Sequence, residues 1–282
     1  MSRWVLVQMY QDLFMCHFSI KIINISVKWY NYCRRRQGGN AMRVIADYHM
    51  HTKLSGDSKN ELEAIVLKAI SIGLEEIAIT DHGPSHNGFG IKKHEFPVLR
   101  SEIDKMKVKY PEIRILLGLE ANLVGYEGEI DIDEDMWKII DWVNVGYHFG
   151  SNLKKDYKIH FYNLMSRFSS RYYQKALKIN TIAMVGAIKK NKINMITHPG
   201  AKGPIDIEAV AKAASEAGTL LEINNSHGHL TVEELKIAMK YPVRFAVCSD
   251  AHKIENVGNV AQALDRAYIA GVEIQKLYNV TE

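Results

Sequence analysis

The chain has 282 residues, 47% of them apolar and 24% charged, with six prolines and three cysteines (Cys16, Cys33 and Cys248) that form no CxxC pair. That length supports one large domain with a sizeable core, and the cysteine usage excludes a disulfide-stapled secreted scaffold. The formal charge of +4 is concentrated in residues 1–41, which hold six Lys/Arg against Asp12 alone; residues 42–282 carry −1, so binding to nucleic acid is not expected of the body.

Residues 1–41 mix aromatic, β-branched and cationic side chains with little period and run into RRRQGGNAM. One reading is a charged arm for membrane or RNA. The preferred one is a start at Met42 preceded by text not translated in the cell, because a purine-rich ribosome-binding stretch translates into Arg and Gly. In either case the segment is expected to be a leader, disordered if made, with the working domain spanning 42–282. No apolar run approaches a membrane span, and the leader lacks the clean apolar core of a signal peptide. A cytoplasmic location without membrane contact is expected.

From residue 43 onward, short runs rich in Ile and Val alternate with amphipathic patterns. Strands are expected at 43–48, 75–80, 113–119, 141–147, 193–197, 219–223 and 243–248, near-continuously apolar as strands covered on both faces should be. Helices are expected at 59–73, about 94–109, about 134–140, 171–190, 206–217, 231–240 and 256–270. Asp206 and Gly218 bracket one of them, and Thr231 with Glu234 spells a capping box. Strand and helix in alternation mean parallel β/α units. A doubly wound nucleotide fold would place a Gly-rich loop after the first strand; HMHTKLSGD stands there instead, which favours an α/β TIM-like barrel.

In such barrels the chemistry sits at the carboxyl ends of the strands. Strand one ends in His49 and His51, with Asp57 in its loop; residues two apart in a strand point to one face. The next ends are ITDHG with His82, GLEAN with Glu120, VGYHFG with His148, ITHPG with His198, and EINNSHGH with Asn224 and Asn225. The last is CSDAH with Asp250 and His252. Any one of these has a bland reading as a cap or loop residue. Six histidines and several carboxylates around one rim do not, and imidazole with carboxylate suits Zn, Mn or Fe. Cys248, inside an apolar strand, reads as core.

As an ordered set these motifs resemble the PHP (polymerase and histidinol phosphatase) metal-dependent phosphoesterases, and LEINNS resembles the stand-alone bacterial PHP phosphatases in particular. The resemblance runs from about Arg43 to the carboxyl terminus. It implies a distorted (β/α)7 barrel of PHP type with two to three divalent transition-metal ions at the carboxyl face. It implies that His49, His51, Glu120 and Asp250 hold one ion, that Glu120 bridges to a second held with His148 and His198, and that Asp57, His82 and His252 hold a third. Some stand-alone members have a histidine at the position of Asp57 and others an acid. A metal-bridged hydroxide as nucleophile, with Glu120, Asp250 and His252 as the catalytic set, is likewise implied by the resemblance.

Asn224, Asn225 and Lys202 are the expected substrate contacts; Lys92, Lys93, Arg171, His86, His94, His227 and His229 stand as further rim or loop candidates. The expected activity is hydrolysis of a small phosphorylated metabolite. Histidinol-phosphate phosphatase and a PHP-type nuclease acting on nucleic-acid ends are the alternatives, and the oligomeric state is left open.

Overall fold

Seven parallel strands follow one another around the fold in chain order: β1 (Ala46–Asp47), β2 (Glu76–Ile79), β3 (Arg114–Val124), β4 (Trp142–Gly146), β5 (Met195–Ile196), β6 (Leu220–Asn224) and β7 (Phe245–Cys248). The structure is a computed structural model that describes residues 42–282, so the expectations placed on residues 1–41, and Cys16 and Cys33 with them, lie outside the described residues. Beyond the ends of β1 and β7 a parallel bridge pairs Met50 with Ala251, with His51 N–H donating to Ala251 O at 3.0 Å, and this contact nearly closes the sheet into a barrel. A seven-stranded TIM-like barrel is therefore the observed fold.

The helices are α1 (Leu62–Ser71), α2 (Phe96–Lys109), α3 (Glu134–Trp137), α4 (Leu153–Met165), α5 (Ser170–Lys190), α6 (Ile207–Ala217), α7 (Val232–Ala238) and α8 (Ala261–Ala270). The expected caps are in place. Asp206 accepts from the N–H groups of Glu208 and Ala209, Gly218 closes α6 at φ 72°, and Thr231 and Glu234 complete their reciprocal box. Helix α4 is additional to the expected set, and the helix expected at about 134–140 is a single turn. β3 runs past the barrel and turns back through Glu129–Ile130 in an antiparallel pair.

Alternation along the strands sorts the barrel interior into layers. Ala78, Leu116, Trp142, Met195 and Leu220, one from each of β2 to β6, form an apolar plug with Ala246 and Cys248 of β7 and Ala46 and Tyr48 from the first strand segment. Tyr48 and Trp142 stack with ring centroids 4.2 Å apart and planes 9° from parallel. Cys248 belongs to this layer, its Sγ 3.9 Å from Met195 Sδ. Two to four residues further along β3, β4 and β6, the same inward face carries Glu120, Asn144 and Glu222, all fully buried. The apolar plug thus supports a polar floor at the carboxyl end.

Candidate metal centre

Glu120 is the hub of the site. Its Oε1 lies 3.0 Å from His198 Nε2, 3.3 Å from His148 Nε2 and 3.3 Å from His49 Nε2, and it accepts from Thr197 Oγ1 at 2.9 Å. Its Oε2 lies 2.8 Å from His82 Nδ1 and 3.8 Å from His51 Nε2. Asp250 Oδ1 is 3.5 Å from His49 Nε2 and 3.4 Å from His51 Nε2, and Asp57 Oδ2 is 3.2 Å from His82 Nε2 and 3.3 Å from His252 Nε2. All nine residues expected as ligands therefore converge on one place. His198 and Asp250 reach it from left-handed backbone, at φ 30° and 55°, an uncommon conformation for side-chain-bearing residues that is often held at functional sites. Gly146 is needed for close approach: a Cβ there would meet Thr197 Oγ1 at 2.5 Å and the rings of His148 and His198 at 3.2 Å.

Residues behind the rim aim the imidazoles. His49 Nδ1 faces Glu222 Oε1 at 2.7 Å, His148 Nδ1 faces Asn122 Oδ1 at 2.9 Å, and His252 Nδ1 faces the Asp250 carbonyl at 3.0 Å. Each partner is an acceptor, so each Nδ1 carries a proton and Nε2 is the atom each ring turns toward the centre. His51 Nδ1 lies 3.3 Å from Ser55 Oγ, whose own hydroxyl donates to Asp81 Oδ1 at 2.8 Å.

Four buried atoms in this cluster have no hydrogen-bond partner: His49 Nε2, His51 Nε2, His82 Nδ1 and Glu120 Oε2. Unpaired buried polar atoms are costly, and four of them pointing into one space is what a cation site looks like without its cation's bonds counted. Ligand atoms of His49, His51 and Glu120 lie within 4.8 Å of one another, as do those of Glu120, His148 and His198, and of His51, His82 and His252. The same spacing joins His82, His86 and His148, and His198, His227 and Asp250, so His86 and His227 border the centre as well. The donor set, imidazole nitrogen with carboxylate oxygen, fits divalent transition metals.

The electrostatics agree with that fit. Burial opposes charge on Glu120, but His148 and His49 outweigh it and hold the carboxyl well below its usual range; His49 and His51 do the same for Asp250. Burial, with His82 beside it, pushes His51 down to about 3, and burial pushes His148 down to about 4. Neutral imidazoles around ionised carboxylates are the protonation states that metals require. His49 and His82 go the other way: burial opposes their charge, but the carboxylates around them win, raising His49 well above its ordinary value and His82 to about 9.

The centre opens into a cleft of about 400 Å³, bordered by Asp57, His82, Glu120, His148, His198, Asp250 and His252 and walled by Phe89, Phe149, Lys202 and His227. Of the three expected substrate contacts, only Lys202 lines it. Asn224 is fully buried, donating to Glu222 Oε2 at 3.0 Å and Asp250 Oδ2 at 3.1 Å, and so braces the centre from below. Asn225 is the next residue along, and alternation turns it away; its Oδ1 accepts from Gln262 N–H and Ala263 N–H at the start of α8. Lys93 pairs with Asp133 at 2.7 Å, both exposed, and His229 with Glu234 at 3.2 Å. Glu222, which orients His49 and accepts from His198 N–H, was not among the expected residues; its position two residues beyond core Leu220 on an inward face is the signal that finds it.

A parallel β/α barrel with clustered imidazoles and carboxylates at its carboxyl rim defines a protein with a metal-type centre. Its sequence matches the PHP domain family over residues 47–226, and the chain belongs to that family. It is similar to a probable phosphatase of Caldicellulosiruptor bescii, 35% identical over 77% of this chain and 83% of that one. It is also similar to a probable phosphatase of Acetivibrio thermocellus, 31% identical over 80% of this chain and 86% of that one. Its fold resembles that of histidinol phosphate phosphatase from Lactococcus lactis, solved with zinc, L-histidinol and phosphate: TM-score 0.56 and 18% identity, covering 82% of this chain and 95% of that one. Among the described residues no helix is long and apolar enough to cross a membrane.

Proposed function

We propose that the protein is a metal-dependent hydrolase of small phosphomonoesters whose centre takes two to three divalent transition-metal ions. The observation that carries this reading is Glu120, one buried carboxylate reached by imidazoles from four different strand ends, beside an open cleft with a lysine on its wall. The names of the relatives support phosphate-ester chemistry, and the zinc of the structural neighbour supports a metal of the same kind. His49, His51, Glu120 and Asp250 would hold one ion, Glu120, His148 and His198 a second, and Asp57, His82 and His252 a third. When bound, such ions supply positive charge that activates water and neutralises the phosphoryl oxygens.

The chain's own residues do the rest. Lys202 presents an ammonium to the non-reacting phosphate oxygens, on the wall it shares with His227. Glu222, Asn122 and the Asp250 carbonyl keep the imidazole protons on Nδ1, so that no N–H points at the reacting centre. Asn224 fixes the Asp250 carboxylate. The roughly 400 Å³ of the cleft suits a metabolite better than a folded macromolecule. The test is metal analysis of the purified protein followed by a phosphorylated-metabolite panel. Two to three ions per chain and activity lost to chelator and regained with Mn²⁺ or Zn²⁺ are expected. Fewer than one ion, with no activity regained on adding either metal, overturns the proposal.

A further inference from the structure

The −1 charge of residues 42–282 is an average over two opposed regions. Residues 153–180, which make up α4, the turn after it and the first half of α5, contain seven Lys/Arg and a single acid, Asp156. Asp156 is buried and accepts from Gly125 N–H, whereas Lys158, Arg167, Arg171, Lys175 and Lys178 are exposed. The hairpin's formal net charge is +6, against −7 for the rest of 42–282.

The same hairpin carries an apolar stripe facing solvent. Tyr157, Phe161, Leu164 and Phe168 recur at helical spacing and are 59%, 46%, 46% and 76% exposed. The side of α4 turned into the fold is instead Asp156, Ile159, His160 and Asn163. On α5, Tyr172 packs edge-on against Phe161 with centroids 5.5 Å apart, and the Lys175 ammonium lies 5.3 Å from the ring centres of both Tyr162 and Tyr172. The surface starts at the lip of the cleft, where Phe149 contacts His160 of α4 edge-on at 5.3 Å.

What covers such a face is decided by charge. A second copy meeting it symmetrically would set +6 against +6, and residues 1–41 carry +5 themselves, so neither supplies the counter-charge. The partner is an anion. Rings outnumber aliphatic side chains here, and cations stand among the rings rather than along a border, as a membrane-lying helix would place them. We infer that the α4–α5 hairpin binds single-stranded nucleic acid, bases stacking on Phe161, Phe168 and the tyrosines while Lys158, Arg171 and Lys175 meet the phosphates. This surface is separate from the metal centre and does not depend on the reaction assigned to it. It also revises the expectation drawn from the body charge, which averaged the two regions to nearly zero.

The test is fluorescence anisotropy of a labelled oligothymidine of about 20 nucleotides with the full chain at about 50 mM salt. Binding that weakens steeply with salt is expected. Charge reversal in K158E/R171E/K175E is expected to weaken it at least about 10-fold, and F161A/F168A, which leaves the charge intact, at least about 5-fold. Both variants change only exposed or half-exposed side chains, and none of them, Arg171 included, lines the cleft, so the thermal midpoint and p-nitrophenyl phosphate hydrolysis should match the parent. No binding to the oligonucleotide overturns the inference, as does binding that F161A/F168A leaves untouched. Adsorption to anionic phospholipid vesicles without oligonucleotide binding assigns the surface to lipid, and a dimer dissolved by F161A/F168A in sedimentation assigns it to a second copy; either outcome overturns it.

Discussion

Replacing Glu120 with Gln keeps the shape and one acceptor oxygen of the side chain but removes the only charge that four strand ends share. Four imidazole nitrogens lie between 2.8 and 3.3 Å from its two oxygens. A unit charge about 3 Å away contributes roughly 5 kcal/mol at an effective dielectric of about 20, and relaxation retains only part of that. About 4 kcal/mol is already about 10³ in rate, so a loss of turnover of at least about 10³-fold is expected. Asp57 gives the internal comparison. Its carboxylate is 28% exposed and, among the described residues, pairs with His82 and His252 alone, so Asp57→Asn should cost less and be partly rescued by excess metal. The assay is p-nitrophenyl phosphate hydrolysis under metal titration, with ion content measured on the same samples. Glu120→Gln turning over near the parent rate would refute the shared-ion arrangement, and the cluster would then be a storage or structural site.

Metal uptake by the ion-free protein should release protons, because the carboxylates around them hold His49 and His82 above their ordinary range, His82 at about 9, while ligation needs both neutral. The sign follows: affinity rises as pH approaches 9 from below, and a pH-stat titration with Zn²⁺ that consumes base checks it. Deleting residues 1–41 should leave turnover and thermal midpoint nearly unchanged, since every candidate ligand follows Met42; a truncated chain that fails to fold would contradict this. Trp142→Ala removes the ring stacked on Tyr48 in the apolar plug and should destabilise the fold by about 3–5 kcal/mol in denaturant unfolding. A shift under about 1 kcal/mol would mean that the plug collapses around the cavity.

Strand ends were legible because a parallel barrel brings them to one rim whatever the helices do, and His49, His82, Glu120, His198 and Asp250 each follow a short apolar run. Two kinds of residue escaped. Glu222 stands inside a strand, where a scan of strand ends does not look; stepping two residues from Leu220 toward the rim reaches it. Helix α4 escaped because its pattern is nearly inverted: its buried side holds Asp156, His160 and Asn163 beside Ile159, while Tyr157, Phe161 and Leu164 point outward. Amphipathic periodicity presumes that the apolar side faces the core, and a helix whose apolar side serves a partner breaks that presumption. Asn225 failed for a geometric reason, since one residue beyond an inward-facing Asn224 the chain faces the helix layer.

The fold's weakest seam lies directly beneath the centre, and buried acids hold it. β1 is two residues long, and among the described residues its side of the barrel meets the β7 side through one ladder pairing, the Met50–Ala251 bridge. Asp47 reinforces that link by accepting from Ser249 Oγ at 2.5 Å, Ser249 N–H at 3.2 Å and Gly258 N–H at 3.1 Å, all from the segment after β7. Asp81 ties the other side of the first strand's loop, accepting from Thr52 N–H and Thr52 Oγ1 at 2.7 Å and from Ser55 Oγ. Burial drives both carboxyls upward in pKa, and donors from the segments after β1 and β7 offset the cost of keeping them there. Because His49 and His51 sit between these two acids, the hydrogen bonds that close the barrel also fix the spacing of the first two candidate ligands. Cations sharing Glu120, as the proposed function has them, would need that rigidity where the strand ladder is shortest.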